Sequence, residues 1–197
     1  MISYWGDKIA YELVASDIIP SEDMALYAYG FFLLLSKALF LLVVSILGAV
    51  FGIFQESILF YLLFSILREY AGGIHAKTEG TCIFCTILMF LLSVSTIWAL
   101  VHYQNTAVAF ALLFFGFFTI ILLSPLDTPE KPLSNLDRQH FQRVARGLAT
   151  TYVILGIVAA IASSPLLYIV AVSEALAGLL LLGGKIDLQR RAYLLQQ

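Results

Sequence analysis

The chain has 197 residues and a mass of 21.8 kDa, room for one domain, yet 61% of its residues are hydrophobic, 12% are charged and the mean hydropathy is +0.94. That composition excludes an ordinary soluble globule and describes an integral membrane protein. Eleven Lys and Arg against thirteen Asp and Glu leave a net charge of −2, so no basic face for nucleic acid is expected.

In chain order, residues 1–30 carry Asp7, Lys8, Glu12, Asp17, Glu22 and Asp23 where a cleavable signal would need an unbroken apolar stretch, and none is expected. Ile2, Trp5, Ile9 and Leu13 recur there at helical spacing with charges between them, which predicts an amphipathic helix lying in the membrane interface. Six apolar runs follow, at Phe31 to Phe54, Ser57 to about Ala71, Cys82 to Val101, Ala107 to Leu123, Gly147 to Ala162 and Pro165 to Leu182. Measured against the ~20 residues that span a bilayer, they predict six crossings. The second run is the short one: Ser57 to Leu67 is free of charge for only roughly 16 Å of helix, which leaves a re-entrant half-helix as the alternative.

Loop charge arbitrates, because cytoplasmic loops are enriched in Lys and Arg near the ends of spans. Six crossings from a cytoplasmic N-terminus put Lys8, Arg68, Lys77, Lys131, Arg138, Arg143, Arg146, Lys185, Arg190 and Arg191 all on the inside, with Lys37 alone inside a span. A re-entrant second run would move nine of those ten outside and leave Lys8 apart from them. The expected fold is therefore all-α: a polytopic integral membrane protein with six transmembrane helices, both termini cytoplasmic, plus the N-terminal interfacial helix. It is read as a single membrane-embedded domain over 1–197, comprising the interfacial segment 1–30, a six-helix bundle over 31–183 and a cytoplasmic tail over 184–197. Lys37 is expected to snorkel to the headgroups, and Glu174, deeper in its run, to need a partner such as Lys37.

The chemistry-bearing residues are densest between the second and third runs, from Arg68 to Cys82. A thiol is a weak nucleophile until a neighbouring imidazole takes its proton or stabilises the thiolate, and His75 and Cys82 are such a pair. On a straight helix they would stand roughly 10 Å apart, so the chain has to fold back, and Gly72, Gly73 and Gly80 supply permissive backbone for that. Backbone N–H groups around Gly80 to Cys82, at a helix start, are the natural oxyanion donors. A third residue to orient His75 is sought among Glu69, Glu79 and Asp127.

Plainer readings of the same residues exist. His75 can cap a helix end, Arg68 and Lys77 can be boundary residues, the glycine pair an ordinary turn, and Cys82 a small apolar residue opening the third span. Cys82 and Cys85 match Cys-x-x-Cys, but without the βαβ setting of a redox motif and with only His75 as a further ligand; no metal and no cofactor are expected. A rival from another class is a small transporter or channel lined by Lys37, Glu174 and the glycine pair.

At these residues the sequence resembles a family. The arrangement Arg68-x3-Gly72-Gly73-x-His75-x6-Cys82 at the cytoplasmic junction of two spans is similar to the accessory gene regulator B (AgrB) family, and the stretch from Ser124 to Leu133 is similar to the proline- and lysine-bearing loop after that family's fourth span. The resemblance implies a cysteine endopeptidase of the bacterial cell membrane, multi-pass, with its active site facing the cytoplasm. Its substrate and partner would be an AgrD-type precursor peptide, cleaved through a thioester on Cys82 and cyclised to an autoinducing thiolactone or lactone for quorum sensing. His75 and Cys82 match the base and nucleophile; Arg68, Gly72, Gly73, Gly80 and Asp127 fall at positioning or oxyanion positions. Arg143 and Arg146, one helical turn apart before the fifth span, would meet the carboxylates of an acidic precursor tail. A homodimer is a further family-level expectation.

Overall fold

The computed structural model describes residues 2–74, 78–126 and 134–194, and every regular element among them is helical. Helix α1 covers Ile2–Ala15, a short 3-10 turn Ser21–Asp23 follows, and six longer helices complete the chain: α2 Met24–Phe51, α3 Phe54–Ala71, α4 Glu79–Tyr103, α5 Thr106–Leu123, α6 Asn135–Ile161 and α7 Leu166–Leu194. Five stretches, Ser21–Phe51, Glu79–Tyr103, Thr106–Leu123, Leu136–Ile161 and Leu166–Arg191, are long and apolar enough to cross a membrane. Helix α3 falls outside that set because it carries Glu56, Arg68 and Glu69 in its 18 residues. Its length is nevertheless about 27 Å, close to the ~30 Å hydrocarbon core.

Packing decides whether α3 turns back. Ser173 of α7 donates to the Phe60 carbonyl near the start of α3, while Ile74, just past the end of α3, donates its N–H to Leu180 further along α7. Leu126, just past α5, donates to Ala71 at 3.1 Å. Helices α3, α5 and α7 therefore run parallel, with α3 and α5 ending together against α7, and the short turn at Gly52 and Ile53 lies at the opposite end, where Phe51 meets Trp98 near the end of α4. Helix α3 thus runs the length of the bundle beside α7 and does not turn back.

Turn chemistry fits this alternation. Helix α2 stops where Gly52 takes up φ 71° and Ile53 bonds back to Gly48 at 2.9 Å, a left-handed cap that a side chain resists. Thr78, Asn105 and Ser134 cap α4, α5 and α6 by accepting from Thr81, Val108 and Asp137. Helices α2 and α6 begin well before the apolar runs at Phe31 and Gly147, and α7 runs on through the segment expected as a tail, because polar turns can stay helical beyond the hydrocarbon.

Helix α7 is the axis of the bundle. It is buried on all sides from Leu167 to Gly178, and α3, α4, α5 and α6 all pack on it; a helix apolar around its circumference has to be enclosed. Helix α5 comes closest, at Gly116 and Gly178: a Cβ on Gly116 would overlap the backbone of Glu174, and one on Gly178 would come within 3.1 Å of the Gly116 Cα. Small residues permit such an approach in membrane bundles, where packing drives association.

Helix α1 departs from the expected face. Ile2, Gly6 and Ala10 are its buried residues, with Gly6 against the α2 backbone at Ala28 and Phe32, whereas Trp5 is exposed and carries the Lys8 ammonium over its ring. The contact uses small residues, which a search for large apolar ones passes over.

The α5–α7 approach yields a test. Gly116→Val should lower unfolding stability by about 1–3 kcal/mol or more, read as a reduced melting temperature in detergent, while Gly30→Ala, with open space around its Cβ position, should melt like the parent.

Candidate active site

A cavity of about 820 Å³ opens between α3 and α4, with α2 and α7 closing its other sides. Cys82 lines it from the first turn of α4, and Thr86 and Met89 continue the same helical face. Arg68, Glu69 and Gly72 line it from α3 and its end, Lys37 from α2, and Asp187 and Arg191 from α7.

The end of α3 is built to turn sharply. Gly72 has φ 80° and Gly73 φ 138°, backbone regions that disfavour a side chain, and space is as restrictive as the dihedrals. A Cβ on Gly72 would come within 2.9 Å of the Leu126 carbonyl oxygen, and one on Gly73 within 3.0 Å of the Leu180 carbonyl oxygen. The turn is pinned on both flanks: Ile74 donates to Leu180 at 3.1 Å, and the Arg68 guanidinium donates to the Ile74 carbonyl at 2.8 Å. On α7, Gly184 leaves room for this crossing, since its Cβ would reach Ile74, Gly73 and Leu126. The chain segments that lead into His75 and Asp127 thus leave from one junction. His75 and Asp127 themselves lie outside the described residues.

Gly80 plays a different part from the one expected. It is helical, in the first turn of α4, with open space about its Cβ position; among the described residues the positive-φ turn is at Gly72 and Gly73. Of the amides nominated as oxyanion donors, Thr81 N–H is held by the Thr78 side chain at 3.3 Å and Cys82 N–H by the Thr78 carbonyl at 3.0 Å. Helix formation has used those two, and Gly80 is the remaining one of the three.

The carboxylates sort by partner. Glu69 bonds Lys37 at 3.1 Å, an open pair with both side chains more than half exposed, worth little to stability by itself. Glu79 accepts from the Ile2 N–H at 2.6 Å and the Ser3 hydroxyl at 2.9 Å, tying α1 to the first turn of α4. The expected contact between Lys37 and Glu174 is not made: rotation of α2 turns Lys37 toward α3, and Glu174 is buried on α7 with both carboxyl oxygens lacking a hydrogen-bond partner among the described residues.

Arg68 and Cys82 therefore share one cavity, within electrostatic reach of each other. Arg143 and Arg146 do not line it; they lie on α6, the first exposed and the second half-buried. Sequence reading had Glu69 as a candidate orienting residue and Lys37 as a lining residue of the rival channel, but missed Asp187 and Arg191. Only the i,i+4 spacing of Asp187 and Arg191, bonded at 2.8 Å, was a signal available in one segment.

Together these features describe a polytopic helical membrane protein with a thiol in a partly apolar cavity at one end of its bundle. The sequence profile described as "Accessory gene regulator B" matches residues 6–182, and the chain belongs to this AgrB family, which is involved in processing quorum-sensing peptides. A protein of Clostridium perfringens (strain 13 / Type A), provisionally named AgrB-like protein 2, is 30% identical over 132 residues, 64% of this chain and 62% of that protein. A second, provisionally named AgrB-like protein, from Clostridium perfringens (strain SM101 / Type A), is 26% identical over 163 residues, 78% of this chain and 75% of that one. The match to the first thus spans less than two thirds of its length. No solved structure matches the chain.

The glycine contrast is testable. Gly72→Ala and Gly73→Ala should each destabilise by roughly 1–3 kcal/mol from strain at positive φ, whereas Gly80→Ala should match or exceed the parent by up to about 1 kcal/mol, as alanine does within a helix. Melting temperatures in detergent separate the two classes.

Proposed function

We propose that this protein is a membrane cysteine endopeptidase, with Cys82 as nucleophile and His75 as general base, that removes the C-terminal tail of an AgrD-type precursor peptide at the cytoplasmic face of a bacterial membrane. The observation that carries the reading is the meeting of Cys82 and Arg68 in one cavity beside the strained glycine turn that runs directly into His75. A channel reading leaves that turn and thiol without a task. Among the described residues, the approach of Gly116 to the Glu174 backbone is also too close for even a Cβ, which leaves no room for a pathway between α5 and α7 there.

In the proposed reaction His75 takes the Cys82 proton and the thiolate attacks a peptide carbonyl of the precursor. Charge then develops on the carbonyl oxygen, and the Gly80 amide together with the Arg68 guanidinium are the donors assigned to it. The C–N bond breaks, the leaving amine takes its proton from the His75 imidazolium, and the tail departs. A thiol or hydroxyl of the precursor attacks the Cys82 thioester, closes the ring and returns the proton to Cys82. Asp127 is assigned to orient His75, because Glu69 and Glu79 are engaged by Lys37 and by α1. Gly72 and Gly73 position the turn.

Co-expression with an AgrD-type precursor, read by mass spectrometry of tail and cyclic product, tests this. Cys82→Ala and His75→Ala should each reduce tail release to background, a loss of about two orders of magnitude or more, while Cys85→Ala should retain it. Loss with Cys85→Ala and survival with Cys82→Ala would refute the assignment.

Arg143 and Arg146 are assigned to the acidic tail outside the cavity. If they grip it, rising salt should weaken precursor binding in the parent, with a Debye length of about 8 Å at physiological ionic strength. Arg143→Gln with Arg146→Gln should flatten that salt curve; unchanged affinity and a parallel curve would make both residues membrane-boundary anchors only.

A further inference from the structure

The cavity that carries Cys82 is divided by polarity. Of its charged lining, Arg68 and Glu69 lie in the last turn of α3 and Asp187 and Arg191 near the end of α7, with Lys37, midway along α2, paired to Glu69. Beyond Cys82 the wall of α4 continues through Met89 to Phe90, eight residues or about 12 Å deeper, and there the lining becomes aromatic. The Phe90 ring is packed edge-on by Phe40, Phe60, Tyr61 and Phe64, with centroids 5.8–6.0 Å apart. The Tyr61 hydroxyl is already committed, donating to the Lys37 carbonyl at 2.8 Å. Such an edge-to-face cluster is a stiff apolar floor. The cavity volume lies within the roughly 300–1,000 Å³ of pockets that enclose a ligand.

We infer that this depth is the specificity pocket for the acyl side of the cleaved bond, and that it selects a large apolar side chain on the residue whose carbonyl Cys82 attacks. The inference rests on the peptidase reading and adds to it the identity of the residue read. The split in polarity sets the direction. After cleavage the acyl part stays on Cys82, while the tail has to leave through the charged end toward water. An apolar side chain seated on the Phe90 floor holds the acyl part during that exchange; a polar one in the same place would lose its hydration without a partner. Met89 and, across the cavity on α3, Ser65 beside Phe64 line this depth.

Activated acyl donors separate this from the rest of the mechanism and need no knowledge of the precursor. N-acetyl amino-acid thiophenyl thioesters of Phe, Leu, Ala and Asp transfer their acyl group to a thiolate with thiophenolate as leaving group. Acylation is read by intact-protein mass spectrometry on the Cys85→Ala protein, in which Cys82 is the sole thiol. The Phe and Leu donors should acylate Cys82 at least about tenfold faster than Ala or Asp, the range that one apolar side chain provides in a pocket. Met89→Trp should cut the Phe rate about tenfold and leave the Ala rate unchanged; Ser65→Trp, half-buried on α3, makes the same test from the opposite wall should Met89→Trp fail to fold. Acylation of Cys82 at equal rates by all four donors, or equal slowing of all donors by both Trp variants, would overturn the pocket and leave the peptidase reading standing. Acylation that becomes possible with every donor only after removal of bound phospholipid, and then without preference, would identify the cavity as a lipid site and overturn it as well. No acylation of Cys82 by any donor, in protein whose thiol reacts with a small alkylating agent, would refute both readings.

Discussion

Everything in this bundle is arranged around the enclosure of α7. Because lipid offers no hydrophobic force between helices beyond what neighbouring side chains offer, association depends on how closely backbones can approach. Gly116 and Gly178 let α5 lie directly on α7, and Gly184 lets the chain from α3 cross the same helix one element further along. These contacts fix α3 and α5 in parallel, with their ends against one stretch of α7. The junction that leads into His75 exists because three small residues, two on α7 and one on α5, remove the volume that would hold the elements apart.

The same junction explains why a charged, strained turn survives at a membrane boundary. Gly72 and Gly73 adopt conformations that cost free energy for other residues, and the turn is held by the Leu180 carbonyl, the Ala71 carbonyl and the Arg68 guanidinium. Arg68 therefore has two tasks in the proposed chemistry. One donor ties down the turn at Ile74, and the remaining charge lies in the cavity with the thiol. Helix α1 adds a brace from outside, since the Glu79 carboxylate in the first turn of α4 is met by Ile2 and Ser3. Displacing α1 would loosen the helix that carries Cys82, which couples α1 to the cavity although, among the described residues, none of α1 lines it.

The spans were legible in the sequence because the bilayer demands long apolar runs, and charge favoured a pass for the short second run, since a re-entrant one would set Lys8 apart from the other nine basic residues. Helix ends were less legible: α2 and α6 extend through polar turns that a hydropathy reading cannot tell from loop. Gly72 and Gly73 could be read as a turn from composition, but Gly80 could not be told from them, because the Thr78 cap that draws it into α4 is a three-dimensional fact. The Lys37–Glu69 pair was beyond reach for a similar reason. It depends on how α2 is rotated against α3, and the buried Glu174, chosen as partner because it was the other intramembrane charge, faces elsewhere. The aromatic floor is spread over α2, α3 and α4, so no local window holds its signal.

Under the proposed chemistry the membrane setting is a requirement of the reaction. Exchange of one thioester for another is close to balanced, whereas attack by water yields a linear acid and ends the sequence. An acyl-enzyme awaiting an internal nucleophile must therefore be kept from bulk water for as long as ring closure takes. A soluble peptidase would need a lid for that. Here α2, α3, α4 and α7 line the cavity that holds the half-buried Cys82, and charged groups lie at the end from which a charged tail can depart. The apolar depth and the polar mouth then serve opposite products of one cleavage: the first retains the acyl part beside its thioester, and the second releases the tail, so that cyclisation rather than religation becomes the favoured exit.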